Sequence, residues 1–346
     1  MARGGAESGY ERLKRELREK KLGSFYIFTG EETYLRDHYL SLVRRQLVDE
    51  ATEEFNFHRF TSETLTPQAL ADSVEALPMM AQRSMVQVDD VDFFKLPEAQ
   101  REQYAAIFSD IPDYCTVALV YETVAYKPDR RLKKLAAAME KAVVAEFCRQ
   151  SERELADWIS RHFRKSGKSI SYPMCQYLIQ ITGGTMTALR TEIGKLASYA
   201  EGGEITKADI DAVVEPVLDA VVFDLTDAIA AGNYALAVRK LETLLQMQEE
   251  PLNILGAISA QMRRILTAKT LLSGGKGMAE LMQLCALKEY PARKTMEFAR
   301  KLPQELCDKA ALWCLDTDWK IKNSYDDPRR LLELLVLQLA QEAKHG

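Results

Sequence analysis

An α/β domain built on a parallel sheet, followed by two stretches that are helical throughout, is the fold class that the sequence predicts. Three observations carry it. Residues 24–47 (SFYIFTGEETYLRDHYLSLVRRQL) read as a short apolar strand, a glycine turn and a long helix, the opening unit of an α/β nucleotide-binding fold. Strand-like and helix-like segments then alternate to about residue 148, as a parallel sheet covered on both faces requires. From about Cys148 the alternation stops, and the patterned segments that follow have helical spacing.

Taken in order, residues 25–28 are the first strand, and residues 54–60, with Phe55, Phe57 and Phe60, suit an extended segment. A helix is expected over 67–77, capped by Thr66. Residues 84–88 are a β-rich run that ends in Asp89-Asp90. Residues 115–121 (CTVALVY) are continuously apolar, the mark of a strand buried on both faces. A basic helix over 127–142 and a last strand over 143–147 complete the first domain, residues 1–148. Helical spacing at 152–166, 173–181, 185–200 and 207–214, broken at Gly183-Gly184 and Gly202-Gly203, gives a small helical domain over 149–216. A larger helical block over 217–346 has segments at 220–231, 234–247, 251–272, 279–285, 291–301, 304–321 and 328–341. The short connections there predict antiparallel neighbours.

Composition bounds the function. At 346 residues, with 47% apolar and 28% charged residues, the chain can bury two or three separate cores, and disorder is excluded as its main state. A net charge of -5 leaves any nucleic-acid contact to a local basic patch. The cysteines at 115, 148, 175, 285, 307 and 314 form no CxxC pair, and the histidines at 38, 58, 162 and 345 have no zinc spacing with them. Reduced structural thiols in a cytoplasmic protein, with no metal, are the expectation. The first seventeen residues run into a charged amphipathic helix without the apolar core of a secretory signal. No run of about 18 apolar residues occurs, so no membrane helix is expected.

Catalytic motifs are scarce. A phosphate loop would read GxxxxGK[ST]; here the turn is Thr29-Gly30-Glu31-Glu32-Thr33, with one glycine, no lysine and two carboxylates where the phosphates would lie. Asp89 and Asp90 stand where an ATPase places its acidic pair, yet with no phosphate-binding lysine to serve they read as a polar strand end. Ser166-Gly167-Lys168-Ser169 lacks the earlier glycine and follows a helix, which makes it a turn. Gly274-Gly275-Lys276-Gly277 lacks the hydroxyl. No GxSxG, HExxH or paired Cys/His set is present, so neither catalytic nor cofactor residues are assigned.

The informative stretch is Leu77-Pro78-Met79-Met80-Ala81-Gln82-Arg83. Pro78 should end the preceding helix, which leaves two large flexible apolar side chains in a connection that would ordinarily be polar. They either fold back on the sheet or insert into a partner's pocket. Basic residues gather at Lys127, Arg130, Arg131, Lys133 and Lys134, and again at Arg161, Arg164, Lys165 and Lys168. Each cluster is either a solvated helix face or a set of phosphate contacts.

Several strings in order give a resemblance: FYIFTGEETYLRDHYL, LPMMAQRSMVQVDD, GGTMTALRTEIGKLASYA, VFDLTDAIAAGNYALAVRKLETLL running on to ILGAISAQMRRIL, and DTDWKIKNSYDDPRRLLELLVLQLA. Over nearly its whole length the chain resembles the delta subunits of the bacterial DNA polymerase III clamp loader. That resemblance implies an AAA+-like core, a helical lid and a helical collar. It implies binding and opening of the sliding clamp (the beta subunit) without ATP hydrolysis by this chain. It further implies assembly through the collar with delta prime and gamma/tau subunits, and primed DNA in the assembled complex at a cytoplasmic, nucleoid-associated replisome with no membrane. In the family an apolar pair after the second helix wedges into the clamp, and the matching positions are Met79 and Met80, with Leu77 and Pro78 alongside. The family often has leucine and phenylalanine at that pair. Two rival readings are a working AAA+ ATPase, which the missing lysine opposes, and a DNA-binding scaffold resting on the basic segments.

Overall fold

A computed structural model describes residues 7–345, and the chain divides into two compact units at Arg149/Gln150. In the first unit, strands β1 (Phe25–Thr29), β2 (Phe57–Phe60), β3 (Ser84–Asp89), β4 (Cys115–Val120) and β5 (Val143–Glu146) form one sheet in the order β2-β3-β4-β1-β5. All pairs are parallel, in the register Phe57↔Met85, Ser84↔Cys115, Phe25↔Val117 and Tyr26↔Val143. Every residue of β4 is buried, as its unbroken apolar run demands. Helices α1 (Gly9–Glu19), α2 (Thr33–Leu47), α3 (Glu53–Asn56), α4 (Pro67–Glu75), α5 (Glu98–Ser109) and α6 (Lys133–Met139) complete this unit. Part of its core is aromatic: Phe93 meets Tyr104 and Phe108 edge-on, and Phe108 stacks on Phe25 at 5.2 Å between ring centres.

Helix α1 packs on β5, and only a glycine fits at its start: a Cβ on Gly9 would stand 1.9 Å from the Val144 carbonyl oxygen. Its buried Glu16 accepts from the Tyr26 hydroxyl at 2.5 Å and from Arg12 at 2.7 Å, which ties the helix to β1. Burial and the Glu16 carboxylate push the Tyr26 phenol well above its usual range. Of the chain start that bears on a secretory signal, residues 1–6 lie outside the described residues.

Three local expectations are corrected, and one element is added. The segment 54–60 is not extended throughout, because Glu53–Asn56 is a helical turn closed by the Asn56 side chain on the Thr52 carbonyl, and β2 starts only at Phe57. The helix expected over 67–77 is capped by Thr66 as expected but ends at Glu75. Ala76 already turns to ψ 128, since Leu77 must be extended ahead of Pro78. The basic helix over 127–142 shrinks to Lys133–Met139. Pro128 lies in the lost part, and the Asp129 carboxylate accepts the Arg131 N–H in a turn there. Residues 98–109, to which the sequence analysis assigns no element, form α5, with Tyr104, Ala105 and Phe108 inward.

The second unit holds α7 (Glu152–Lys165), β6 (Ser169–Ile170), α8 (Tyr172–Ile181), α9 (Met186–Tyr199), β7 (Glu204–Ile205), α10 (Lys207–Val213), α11 (Leu218–Ala230), α12 (Tyr234–Gln246), α13 (Pro251–Ser273), α14 (Met278–Cys285), α15 (Glu289–Lys301), α16 (Gln304–Asn323) and α17 (Pro328–His345). Helix α7 starts at a capping box in which the Ser151 hydroxyl and the Glu154 carboxylate serve each other's backbone N–H; Thr206 and Asp209 do the same for α10. The unit is not helical throughout. β6 and β7 pair in parallel, Ser169↔Glu204 and Ile170↔Ile205, just after the turn at Gly167 (φ +71), and the Ser169 N–H donates to the Gly203 carbonyl at 2.8 Å. Helices α11, α13, α15 and α17 share one apolar core around Val221, Ile258, Met296 and Leu335. Among the described residues no helix is long and apolar enough to cross a membrane.

Candidate docking site

The glycine turn after β1 is closed. Gly30 has φ +120, and a Cβ there would stand 2.3 Å from the Phe147 carbonyl oxygen, so the turn lies directly on the chain leaving β5. Phe147 donates its N–H to Thr29 at 2.7 Å and accepts the Glu32 N–H at 2.9 Å. The Glu32 N–H therefore ends on a carbonyl of the same chain, not in a cradle open to an anion. Glu31 pairs with Arg149 at 2.8 Å. One turn into α2 the buried Arg36 guanidinium donates to the Tyr121 carbonyl at 3.4 Å and faces Asp37 and Glu122 at 3.0 and 3.2 Å.

Asp89 and Asp90 behave as a polar strand end. Asp89 accepts from Arg59 at 2.5 Å and from Gln87 at 2.7 Å. Asp90, at φ +53, accepts the N–H groups of Glu122, Thr123 and Val124 at 2.7, 2.9 and 3.2 Å and the Thr123 hydroxyl at 2.9 Å. Partial burial pushes its carboxyl up, but those donors outweigh it and hold the group below the usual carboxylate range. A cleft of about 700 Å³ opens beside these strand ends. Three of its four arginines are matched by carboxylates, Arg36 by Glu122, Arg44 by Glu53 and Arg59 by Asp89, which leaves the exposed Arg45 as a single unmatched cation and not a cationic cradle. Lys168, from the second apparent phosphate loop, donates to the Ala200 and Gly202 carbonyls and so holds a turn.

The stretch from Leu77 to Met80 forms an exposed apolar tip. Leu77 is 73%, Met79 50% and Met80 87% exposed, while Pro78 beside them is half-buried. The side chains do not fold back on the sheet, although the residues around them are fixed. Asn56, completely buried, accepts the Met79 N–H at 2.8 Å and donates to the Met79 carbonyl at 2.9 Å. Downstream, the Arg83 guanidinium donates to the Leu22 and Gly23 carbonyls and to the Thr116 hydroxyl. Burial drives Arg83 below its usual range, a cost met by three acceptors. Upstream, the Tyr114 hydroxyl donates to the Glu75 carbonyl at 3.0 Å where α4 ends. The tip leads into the first residue of β3, whereas the glycine turn follows the last residue of β1. In a parallel sheet these are opposite edges, about 17–20 Å apart at about 3.3 Å per residue.

Lys127, Arg130, Arg131, Lys133 and Lys134 are all exposed, but on a loop and one short helix instead of one long face. Arg131 is paired with Asp129, whose carboxyl that guanidinium holds at about 2, and Lys134 is paired with Glu102 at 2.7 Å. Three cations of the five remain without an ion pair. Arg161, Arg164 and Lys165 lie exposed on α7, apart from that loop in sequence and in the other unit.

Sequence reasoning missed Asn56 and Arg83, because an asparagine ending a single helical turn and an arginine before a strand carry no motif. It also missed an exposed stripe on α16, Leu312, Leu315 and Trp319, whose spacing of three and four residues marks one helix face without saying whether that face is buried.

Two family models match: "DNA polymerase III, delta subunit" over residues 26–147 and "DNA polymerase III delta subunit, C-terminal domain" over residues 219–339. The chain is 27% identical over 332 residues to DNA polymerase III subunit delta of Bacillus subtilis, covering 94% of this chain and 95% of that protein. It is 23% identical over 276 residues to the probable DNA polymerase III subunit delta of Aquifex aeolicus, covering 76% and 75%. Among solved structures it is similar to the Bacillus subtilis DNA clamp loader delta protein (YqeN), with a TM-score of 0.62, 26% identity, and 95% and 99% of the two chains covered.

Proposed function

Because the chain belongs to the DNA polymerase III delta subunit family, we propose that it is the clamp-gripping member of a clamp loader, which binds the sliding clamp (beta subunit) and favours its opened ring without hydrolysing ATP itself. The observation that carries this reading is the tip: Leu77, Met79 and Met80 lie in water on a backbone that buried polar groups hold in place. Covering the exposed part of two methionines and a leucine is worth about 3–5 kcal/mol before the costs of association. That is enough to anchor an interface whose remaining contacts provide complementarity. A tip that binds better to the open than to the closed ring shifts the ring by that difference alone.

The closed Gly30 turn and the inward Arg36 support a frame kept without its nucleotide chemistry. We place a lid over residues 149–216 and a collar over 217–346, all but the first of these residues in the second unit, with the collar joining delta prime and gamma/tau subunits. The exposed stripe on α16 is consistent with such a contact. Primed DNA meets the assembled complex, with Lys127, Arg130 and Lys133 as this chain's available phosphate contacts, in the cytoplasm at the nucleoid-associated replisome.

The test is a titration of the purified chain against its cognate clamp. Replacing Met79 and Met80 together by alanine should weaken binding about a hundredfold or more, with an unchanged thermal melt, since both side chains face water in the unbound chain. Wild-type affinity in that variant would remove the tip from the interface.

A further inference from the structure

Met80 is almost wholly in water and Met79 half so, which leaves little packing to fix their direction and gives the main chain the larger part in it. Met79 has both its backbone groups in use: the N–H goes to Asn56 Oδ1 at 2.8 Å and the carbonyl accepts from Asn56 Nδ2 at 2.9 Å. The second Nδ2 proton goes to the Thr52 carbonyl at 3.1 Å, so the carboxamide orientation is fixed by its own partners, because a flipped amide would set N–H against N–H. Asn56 thus does for one residue what a neighbouring strand does for a ladder, and it does so from full burial, where a lost partner is most costly. The next residue, Met80, stands at φ +51, a left-handed backbone that a methionine rarely adopts. That conformation throws an 87% exposed side chain away from the protein. A loop without these two hydrogen bonds would be free to lay both thioethers on the sheet, the arrangement in which apolar side chains in a connection ordinarily rest.

We infer that Asn56 is the positioning residue of the tip: its carboxamide grips the Met79 peptide so that the partner meets a prong already pointing outward. This rests on the clamp-binding reading above. Pre-organisation of this kind reduces the ordering that binding would otherwise require, and its loss is felt first in the rate of productive encounter. Loss of the methionine side chains themselves is felt in the rate of escape.

The experiment uses the full chain and the sliding clamp, with association and dissociation rates measured for wild type, Asn56→Ala and the Met79→Ala/Met80→Ala double variant, beside hydrogen exchange at the Met79 amide. The expected result is a loss of about tenfold in affinity for Asn56→Ala, carried mainly by slower association, in a chain that still melts cooperatively and whose Met79 amide has lost its protection. Asn56→Ala that is folded and binds within about twofold of wild type overturns the assignment, because a merely structural asparagine lowers the melt and leaves affinity alone. Should Asn56→Ala fail to fold, Asn56→Ser, polar but too short to reach both groups of Met79, carries the same comparison. If the double methionine variant binds like wild type, the clamp reading falls. The Asn56 assignment is then decided by exchange alone: a slow Met79 amide made fast by Asn56→Ala supports it, and equal exchange overturns it.

Discussion

Asp90 and Met80 are both non-glycine residues at positive φ, and the surroundings hold each for a different end. Asp90 folds its carboxylate onto three successive N–H groups and so ends β3 neatly. Its carboxyl is held below the unfolded carboxylate range, so its contribution is complete above about pH 4 and is lost as pH falls through the folded value. Asp90→Asn keeps the turn-friendly side chain and loses the charge. It should lower unfolding free energy by about 1 kcal/mol at pH 7, solvent screening allowed for, and the gap should shrink progressively as pH falls below about 4; urea denaturation at pH 7 and at successively lower pH measures it. Legibility at this scale was uneven. The missing lysine after Gly30 is plain in the sequence, and Met79 and Met80 stand out as apolar residues in a turn. Asn56 is not legible, because its partner lies twenty-three residues away and is a backbone group.

At the level of elements, strands came through best. The β4 run could be nothing but a doubly buried strand, and Thr66 marked the start of α4. Short or unevenly patterned pieces did not come through. Helix α5 crowds most of its apolar residues into 104–108, so no helical period stands out, and a two-residue ladder such as β6-β7 has no period at all. The loss of the basic helix over 127–132 has a consequence for nucleic acid. With Arg131 and Lys134 already paired, three cations remain in this cluster, and without the separate basic face of α7 a site of three phosphate contacts has a log-log salt slope of no more than about 3. Duplex DNA titrated with the isolated chain at several salt concentrations should bind weakly with a slope in that range. A slope of about 6 or more would return the DNA-binding scaffold to consideration.

On the scale of the whole molecule, the first unit sets its tip and its glycine turn at opposite edges of one sheet. On the proposed reading the closed turn holds no nucleotide and the tip stands at the other edge of the sheet, so millimolar ATP should leave the clamp affinity of the purified chain within about twofold of its value without nucleotide. A larger change in that titration would mean that the turn opens. The division into an alternating half and a helical half was readable because parallel strands need crossovers and bundles do not. Where the helical half bears its outward apolar residues was not, since sequence alone does not tell one apolar face of α16 from the other. The same polarity of the sheet gives the experimenter a handle. Cys148, two residues past β5 and beside Glu31 and Glu146, is an exposed thiol at the edge far from the methionines, while Cys115, Cys175, Cys307 and Cys314 are buried. Slight desolvation and those two carboxylates raise its pKa, so maleimide coupling calls for mildly alkaline buffer. A fluorophore placed there would report tumbling of the complex without standing in the grip.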